Sequence, residues 1–270
     1  MYISYKMIAM DLDGTLISSN KCITPKTKEA LIRFQKEGGK VVLASGRPTY
    51  GMKTLEEELE LKRYGGYLMS FNGGQLYECA TGDLLHSKTI PTSVALRIAA
   101  LARIFYVNLV TYRDHELLCM EKYDMYAEIE SKLNGLTIVQ PDNFEQMIAT
   151  IDIPKFMMLE DEHLLVRIQN YLHPVLDQYC ETFTSAPYFL EITPKGITKG
   201  DTLDVLLNHI GLDRSNLITF GDGMNDMSMI KSAGLGVAMG NARSEIKAVA
   251  DYITLSNDED GIAHVIEKFV

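Results

Sequence analysis

Four short apolar runs along the chain each stop at a polar turn containing glycine. Residues 6–10 run into Asp11-Leu-Asp-Gly-Thr15, and residues 40–44 into Ser45-Gly-Arg47. Residues 216–220 run into Gly221-Asp-Gly-Met-Asn-Asp226, and residues 235–239 into Gly240-Asn-Ala242. Short, continuously apolar strands of this kind suit a parallel sheet covered on both faces. Helical patterns separate them. Thr24-Pro25 reads as an N-cap followed by Pro at the first helical position. Ala30, Leu31 and Phe34 then form an apolar stripe, and Gly38-Gly39 stops the helix. A further helix begins near Asn225 and continues over residues 228–233. Alternating strands and helices predict a doubly wound α/β sheet. In such sheets ligands bind beyond the carboxyl ends of the strands, which is where all four polar turns fall.

The middle of the chain has a different pattern. Over residues 84–192 the strand-and-polar-turn signal is absent. The periodicity predicts a helix over 93–105, a hairpin over 107–120 turning at Arg113-Asp-His115, and a helix over 123–133. A strand over 154–159 follows, then an amphipathic helix carrying Leu164, Leu165, Ile168 and Leu172 on one face. Two more strands flank Ala186-Pro187. This is an α+β module inserted into the first domain. The expected organisation is a core in two parts, 1–83 and 193–270, with an inserted domain over 84–192.

Composition narrows the partners. The chain has 270 residues, enough to bury a sizeable core. Its net charge of −10 argues against a broad electrostatic grip on nucleic acid or anionic lipid. It leaves room for one phosphate bound locally. Residues 1–5 show no basic region leading into a long apolar stretch, so no signal peptide is expected. No apolar run is long enough to suggest a membrane span. The four cysteines, Cys22, Cys79, Cys119 and Cys180, are scattered without a CxxC pair. That predicts neither a disulfide framework nor a zinc site, a reduced cytoplasm, and a small-hydrophobe role in the core for each thiol.

Asp11 and Asp13 stand two apart at a strand end and so point the same way. Two such carboxylates repel each other unless a cation sits between them. Mg²⁺ suits the site, because it takes oxygen ligands and keeps water and substrate phosphate in its shell. One carboxylate can attack phosphorus, and the other can protonate a leaving alcohol. A turn or a Ca²⁺ loop is the alternative, although residues 15–19 lack the further ligands an EF-hand needs. Asp222 follows a buried strand as Asp11 does and can complete a cation site; the alternative is a glycine-rich turn with an acidic helix cap. Asn225 offers a donor to phosphate, and Asp226 a helix cap or a partner that orients a neighbour. Ser45 and the N–H groups around Gly46 can face an anion, or Ser45 can merely cap a helix. Lys199 can neutralise both a nucleophile and a phosphoryl group, or simply be solvated. Arg47 can contact phosphate, but reads rather as a surface charge.

These turns, in this order, resemble the haloacid dehalogenase superfamily of phosphohydrolases. The residues that carry the resemblance are Asp11-Leu-Asp-Gly-Thr15, Ala44-Ser-Gly-Arg47, Thr198-Lys-Gly200 and Gly221-Asp-Gly-Met-Asn-Asp226. The insert between the second and third motifs, with Gly236-Val-Ala-Met-Gly-Asn-Ala242 and Ser256-Asn-Asp-Glu-Asp-Gly261, resembles the Cof-type branch. The resemblance spans almost the whole chain. It implies a Rossmann-like core with a large α/β cap. By carry-over, Asp11 is the nucleophile and Asp13 the general acid/base. Asp11, the backbone carbonyl of Asp13, and Asp222 bind Mg²⁺. Ser45, Gly46, Lys199 and Asn225 hold the phosphate, and Asp226 orients Lys199 or a metal-bound water.

In the insert and its approach, Asn72 of Phe71-Asn-Gly-Gly74 is a hinge or substrate-contact candidate, or part of a plain turn. Tyr112, Arg113, His115 and Glu191 are candidates for the cleft, with surface or packing roles as the alternative. The function expected is cytoplasmic hydrolysis of a small phosphorylated metabolite; the resemblance to the Cof-type branch implies a sugar phosphate first, flavin or pyridoxal phosphates next. A phosphomutase would use the same aspartates and require a bisphosphate activator. A non-catalytic binding protein is disfavoured by the intact Asp11, Asp13, Lys199 and Asp222. No P-loop pattern occurs.

Overall fold

The computed structural model describes residues 5–121 and 124–270. Residues 1–4, most of the stretch read for a signal peptide, and Tyr123, included in one expected helix, lie outside the described residues. The strands, in chain order, are β1 (Met7–Met10), β2 (Lys40–Ala44), β3 (Tyr67–Ser70), β4 (Gln75–Glu78) and β5 (Leu84–Ser87). Next come β6 (Asn108–Arg113), β7 (Glu116–Cys119), β8 (Thr137–Val139), β9 (Phe156–Leu159), β10 (Cys180–Ala186) and β11 (Phe189–Pro194). The last are β12 (Leu217–Gly221), β13 (Leu235–Ala238) and β14 (Tyr252–Ile253). The chain divides into two compact units. One is Met1–Arg47, Met52–His86 and Thr198–Val270; the other is Pro48–Gly51 and Ser87–Ile197.

The first unit holds one sheet in the order β14-β13-β12-β1-β2-β3-β4-β5. The pairings from β14 through β3 are parallel, and β4 turns back antiparallel on β3. Every residue of β1 is buried, because helices cover both faces. Ile8, Met10, Val41, Leu43, Ile218 and Phe220 face a core that includes Leu31 and Phe34 of helix Pro25–Lys36 and Val265 and Ile266 of helix Gly261–Phe269. Met7, Ala9, Val42, Ala44 and Leu217 face the opposite core, with Leu203 and Leu206 of helix Lys199–Ile210 and Met229 of Met227–Ser232. This is the doubly wound layering expected from the uninterrupted apolar strands. Thr24 caps the first helix by accepting from the Thr27 N–H, with Pro25 at the first helical position. From β1 the chain builds outward to β2 and β3, then returns on the other side of β1 as β12. The order reverses at β1, so the end of β1 is the topological switch point where ligands bind in such sheets. Strand β3 lies outside the expected runs: its apolar stretch is only Tyr67-Leu-Met69, too short to stand out before Ser70.

The second unit has a sheet in the order β10-β11-β9-β6-β7-β8. Leu109, Leu118, Met158 and Leu190 pack one face of it against Ala95 and Ile98 of helix Thr92–Phe105 and Ile168 and Leu172 of helix Glu162–Leu176. The expected hairpin forms as β6–β7, with Arg113 opposite Glu116 and Asp114 left-handed at the turn (φ 49°). Of the polar candidates here, the Tyr112 hydroxyl donates to Glu130 at 2.8 Å, and Glu191 pairs with Lys155 at 3.2 Å. Arg113 donates to Glu116 at 2.7 Å, and the His115 ring lies 5.9 Å from that of Tyr50.

Cys79, Cys119 and Cys180 are buried as expected, and burial pushes their thiols up to about 12, 12 and 11. Cys22 departs from that expectation: it is exposed, in a turn where the Ser18 hydroxyl donates to its carbonyl at 2.8 Å. Among the described residues no helix is long and apolar enough to cross a membrane.

Candidate active site

Asp11 is the first residue past β1, and its N–H donates to the Phe220 carbonyl of β12 at 3.1 Å. Its carboxylate is therefore delivered to the switch point by the sheet itself. Lys199 opens helix Lys199–Ile210, which Thr198 caps by accepting from the Asp201 N–H at 3.1 Å. The Lys199 side chain has no exposure at all. Its Nζ donates to Asp11 Oδ1 at 2.6 Å and to Asp226 Oδ1 at 2.7 Å. Asp226 is equally buried, and its Oδ2 accepts from the N–H groups of Asp222 and Gly223 at 3.0 and 2.9 Å. One carboxylate thus folds the Gly221–Asp226 turn and seats the lysine.

Asp222 is reached from the other acidic turn. Thr15 Oγ1 donates to Asp222 Oδ1 at 2.8 Å. Gly14 has φ 86°, and a Cβ there would lie 2.6 Å from Asp222 Oδ2. Only glycine meets both the left-handed backbone and the close approach. The Asn241 side chain donates to the Gly14 carbonyl at 2.7 Å and braces the same turn.

The charges do not balance. One oxygen from each of Asp11, Asp222 and Asp226 can be chosen so that all lie within 4.8 Å of one another. Lys199 supplies a positive charge among them, paired with Asp11 and Asp226. Burial pushes the Asp11 carboxyl up to about 7, against the pull of Lys199 and with the repulsion of Asp226 and Asp222. Burial likewise raises Asp222. Burial by itself would lower Lys199, but Asp11 and Asp226 more than reverse that and hold the ammonium above its ordinary range. Three carboxylates against one ammonium, all with hard oxygen donors, fit a divalent cation such as Mg²⁺. Asp226 already uses both oxygens within the protein. Lys199 donates to Oδ1 of Asp11 and Thr15 to Oδ1 of Asp222, so the Oδ2 atoms of these two aspartates are the better ligands.

The other expected residues gather in two groups. Ser45, 3% exposed, accepts from the Arg47 N–H at 3.2 Å through its Oγ. Gly46 faces the Asn72 amide, and Asn225 Nδ2 donates to Asn72 Oδ1 at 3.0 Å. Asp13 is turned toward Arg47, whose Nε and Nη2 donate to its two oxygens at 3.0 and 2.6 Å. Arg47 is thus no plain surface charge: its side chain is 17% exposed and forms a bidentate fork on Asp13. The Asp13 carboxylate does not join the acidic group at Asp11, contrary to the expectation that the two side chains point the same way and share a cation: β1 ends at Met10, so the alternation of a strand does not extend to Asp13, and Arg47 holds its carboxylate. Thr15 had no assigned role in the sequence, since its partner Asp222 lies 207 residues away. Its place within the Asp11–Thr15 motif was the only available signal.

The molecule is thus an α/β protein with a doubly wound sheet and a lysine-bridged acidic cluster at its switch point, where such sheets bind ligands. Residues 8–266 match the haloacid dehalogenase-like hydrolases, and the chain belongs to that family. A haloacid dehalogenase-like hydrolase from Bacteroides thetaiotaomicron has 41% sequence identity and a TM-score of 0.94, covering 99% of this chain and 100% of its own. A sugar phosphatase of haloacid dehalogenase subclass IIB shares 27% identity at a TM-score of 0.79, covering 98% of each chain. The 5-amino-6-(5-phospho-D-ribitylamino)uracil phosphatase YcsE of Bacillus subtilis (strain 168) is 28% identical over 99% of this chain and 97% of its own. The protein is a hydrolase of the phosphatase type.

Proposed function

We propose that the chain is an Mg²⁺-dependent phosphatase for small phosphomonoesters of sugar-like alcohols, working through an aspartyl-phosphate on Asp11. The observation that carries this reading is the buried Asp11–Lys199–Asp226 bridge beside Asp222, an acidic site one cation short of balance. Asp11 and Asp222, with the Asp13 carbonyl, would hold Mg²⁺, which supplies charge neutralisation for the transferring phosphoryl group. An Asp11 oxygen attacks phosphorus as the bond to the leaving alcohol breaks. Asp13 gives that alcohol its proton. Asp13 then takes a proton from water, which attacks the aspartyl-phosphate, releases inorganic phosphate and restores Asp11. Lys199 lowers the charge on Asp11 and on the phosphoryl oxygens, while Ser45, the Gly46 backbone and Asn225 donate to the phosphate. Arg47 takes one lone pair on each Asp13 oxygen, so the acid–base role falls to the lone pairs that face away from the guanidinium.

The sugar-like substrate is supported by two relatives. One is named a sugar phosphatase, and the name of the other places the phosphate on a ribityl chain, also a polyol. We read the second unit as the substrate-selecting cap and the cytoplasm, with its reduced thiols, as the compartment.

Release of inorganic phosphate from a panel of sugar, nucleotide and cofactor phosphates tests the reading. Release from a few sugar or polyol phosphates is expected with Mg²⁺, and none with EDTA. Metal-independent release would overturn the cation assignment. No release, reversed by a bisphosphate activator, would indicate a mutase. Asp13→Asn is expected to slow an alkyl phosphate about a hundredfold but an aryl phosphate much less, since a good leaving group needs no proton. Equal losses on both substrates would remove the acid role from Asp13.

A further inference from the structure

Phe71, Asn72 and Gly73 are consecutively left-handed, with φ 53°, 57° and 103°. Glycine takes this conformation freely and asparagine tolerates it, but a buried Phe does not adopt it without compensation. Strain of this kind collects at functional sites. The turn is fastened to Ser45–Arg47: Asn72 N–H donates to the Ser45 carbonyl at 2.9 Å, and Phe71 N–H to the Arg47 carbonyl at 3.1 Å. The Asn72 carboxamide lies against Gly46, where a Cβ would be 3.1 Å from Nδ2. Its Oδ1 accepts from Asn225 Nδ2 at 3.0 Å. One side chain therefore links the turn after β2 to the turn after β12.

We infer that Asn72 is a positioning residue for the phosphate, because its Oδ1 dictates which end of the Asn225 amide faces the anion. This rests on the phosphatase reading. A primary amide has a donor end and an acceptor end of nearly equal size. With Asn72 Oδ1 as partner, Asn225 presents N–H groups on that side, and one remains for a phosphate oxygen. Without that acceptor, Asn225 can flip and turn its carbonyl oxygen, a repulsive group, toward the phosphate. The rival explanation is that Asn72 is present only because its backbone is left-handed.

Asn72→Gly separates the two, since glycine keeps the left-handed backbone and removes the amide. The probe is orthovanadate, a tetrahedral oxyanion shaped like phosphate, titrated calorimetrically into the Mg²⁺-loaded protein. Asn72→Gly is expected to weaken vanadate binding about tenfold and to raise KM more than it lowers kcat, with the melting temperature unchanged. In an Asn225→Ala background, the same Asn72→Gly change is expected to have little further effect, because the two act through one contact. Wild-type vanadate affinity in Asn72→Gly, loss of its fold, or additive losses in the double variant would each overturn the inference. Absence of vanadate binding and phosphate release in the wild type would fell the phosphatase reading itself, a result separate from any effect of Asn72.

Discussion

Asp11→Asn is expected to lower turnover by at least about a thousandfold while the protein stays folded. Asn keeps the shape of Asp and can still accept from Lys199. It cannot attack phosphorus as a carboxylate does. The folded state should tolerate the change, because burial already pushes the Asp11 carboxyl up to about 7 and a neutral side chain avoids that cost. The measurement is kcat on the best substrate of the panel, with acid quenching of the wild type and the variant on labelled substrate. The wild type should trap label on protein, and Asp11→Asn should trap none. Substantial residual turnover, or label retained in the variant, would move the nucleophile elsewhere.

Lys199→Met is expected to have the larger effect on stability. Lys199 is fully buried, and it is the cation that bridges Asp11 and Asp226. Methionine fills much of the same volume but leaves two buried carboxylates without their shared counter-charge. Breaking a buried pair from one side costs about 3–5 kcal/mol. The variant should melt well below the wild type in EDTA and be inactive. Added Mg²⁺ should recover part of the loss, since a cation bound only by the folded state stabilises it by mass action. Thermal denaturation of both proteins, with EDTA and with Mg²⁺, checks this. A melting temperature equal to that of the wild type in EDTA would mean that Lys199 does not carry the buried charge balance.

The motif turns were legible because each pairs a buried strand with the residues that leave it. Apolar runs at 6–10, 40–44, 216–220 and 235–239 mark strands that must be covered on both faces, and the structure places β1, β2, β12 and β13 there. Helix ends were legible where a capping side chain stands beside the break, as at Thr24-Pro25. Strand β3 and the left-handed Phe71–Gly73 turn were not. Strand β3 is defined by its pairing with β2 and β4, and the turn by hydrogen bonds to Ser45 and Arg47, partners that sequence periodicity does not contain. Arg47 was misjudged for a related reason: a lone arginine shows nothing of the carboxylate it will meet.

The class of fold, the order of the acidic and basic turns, and the residue types able to hold a cation and a phosphate are all written in the chain. These follow from short-range rules: apolar continuity for buried strands, glycine for tight turns, and capping residues for helix starts. The tertiary structure decided the partnerships. It seated Lys199 between Asp11 and Asp226, joined Thr15 to Asp222, drew Asp13 to Arg47, and set Asn72 beside Asn225. These contacts span 27 to 207 residues of sequence. Only the sheet order, which brings β12 and β2 to either side of β1, places such distant side chains within reach of a hydrogen bond.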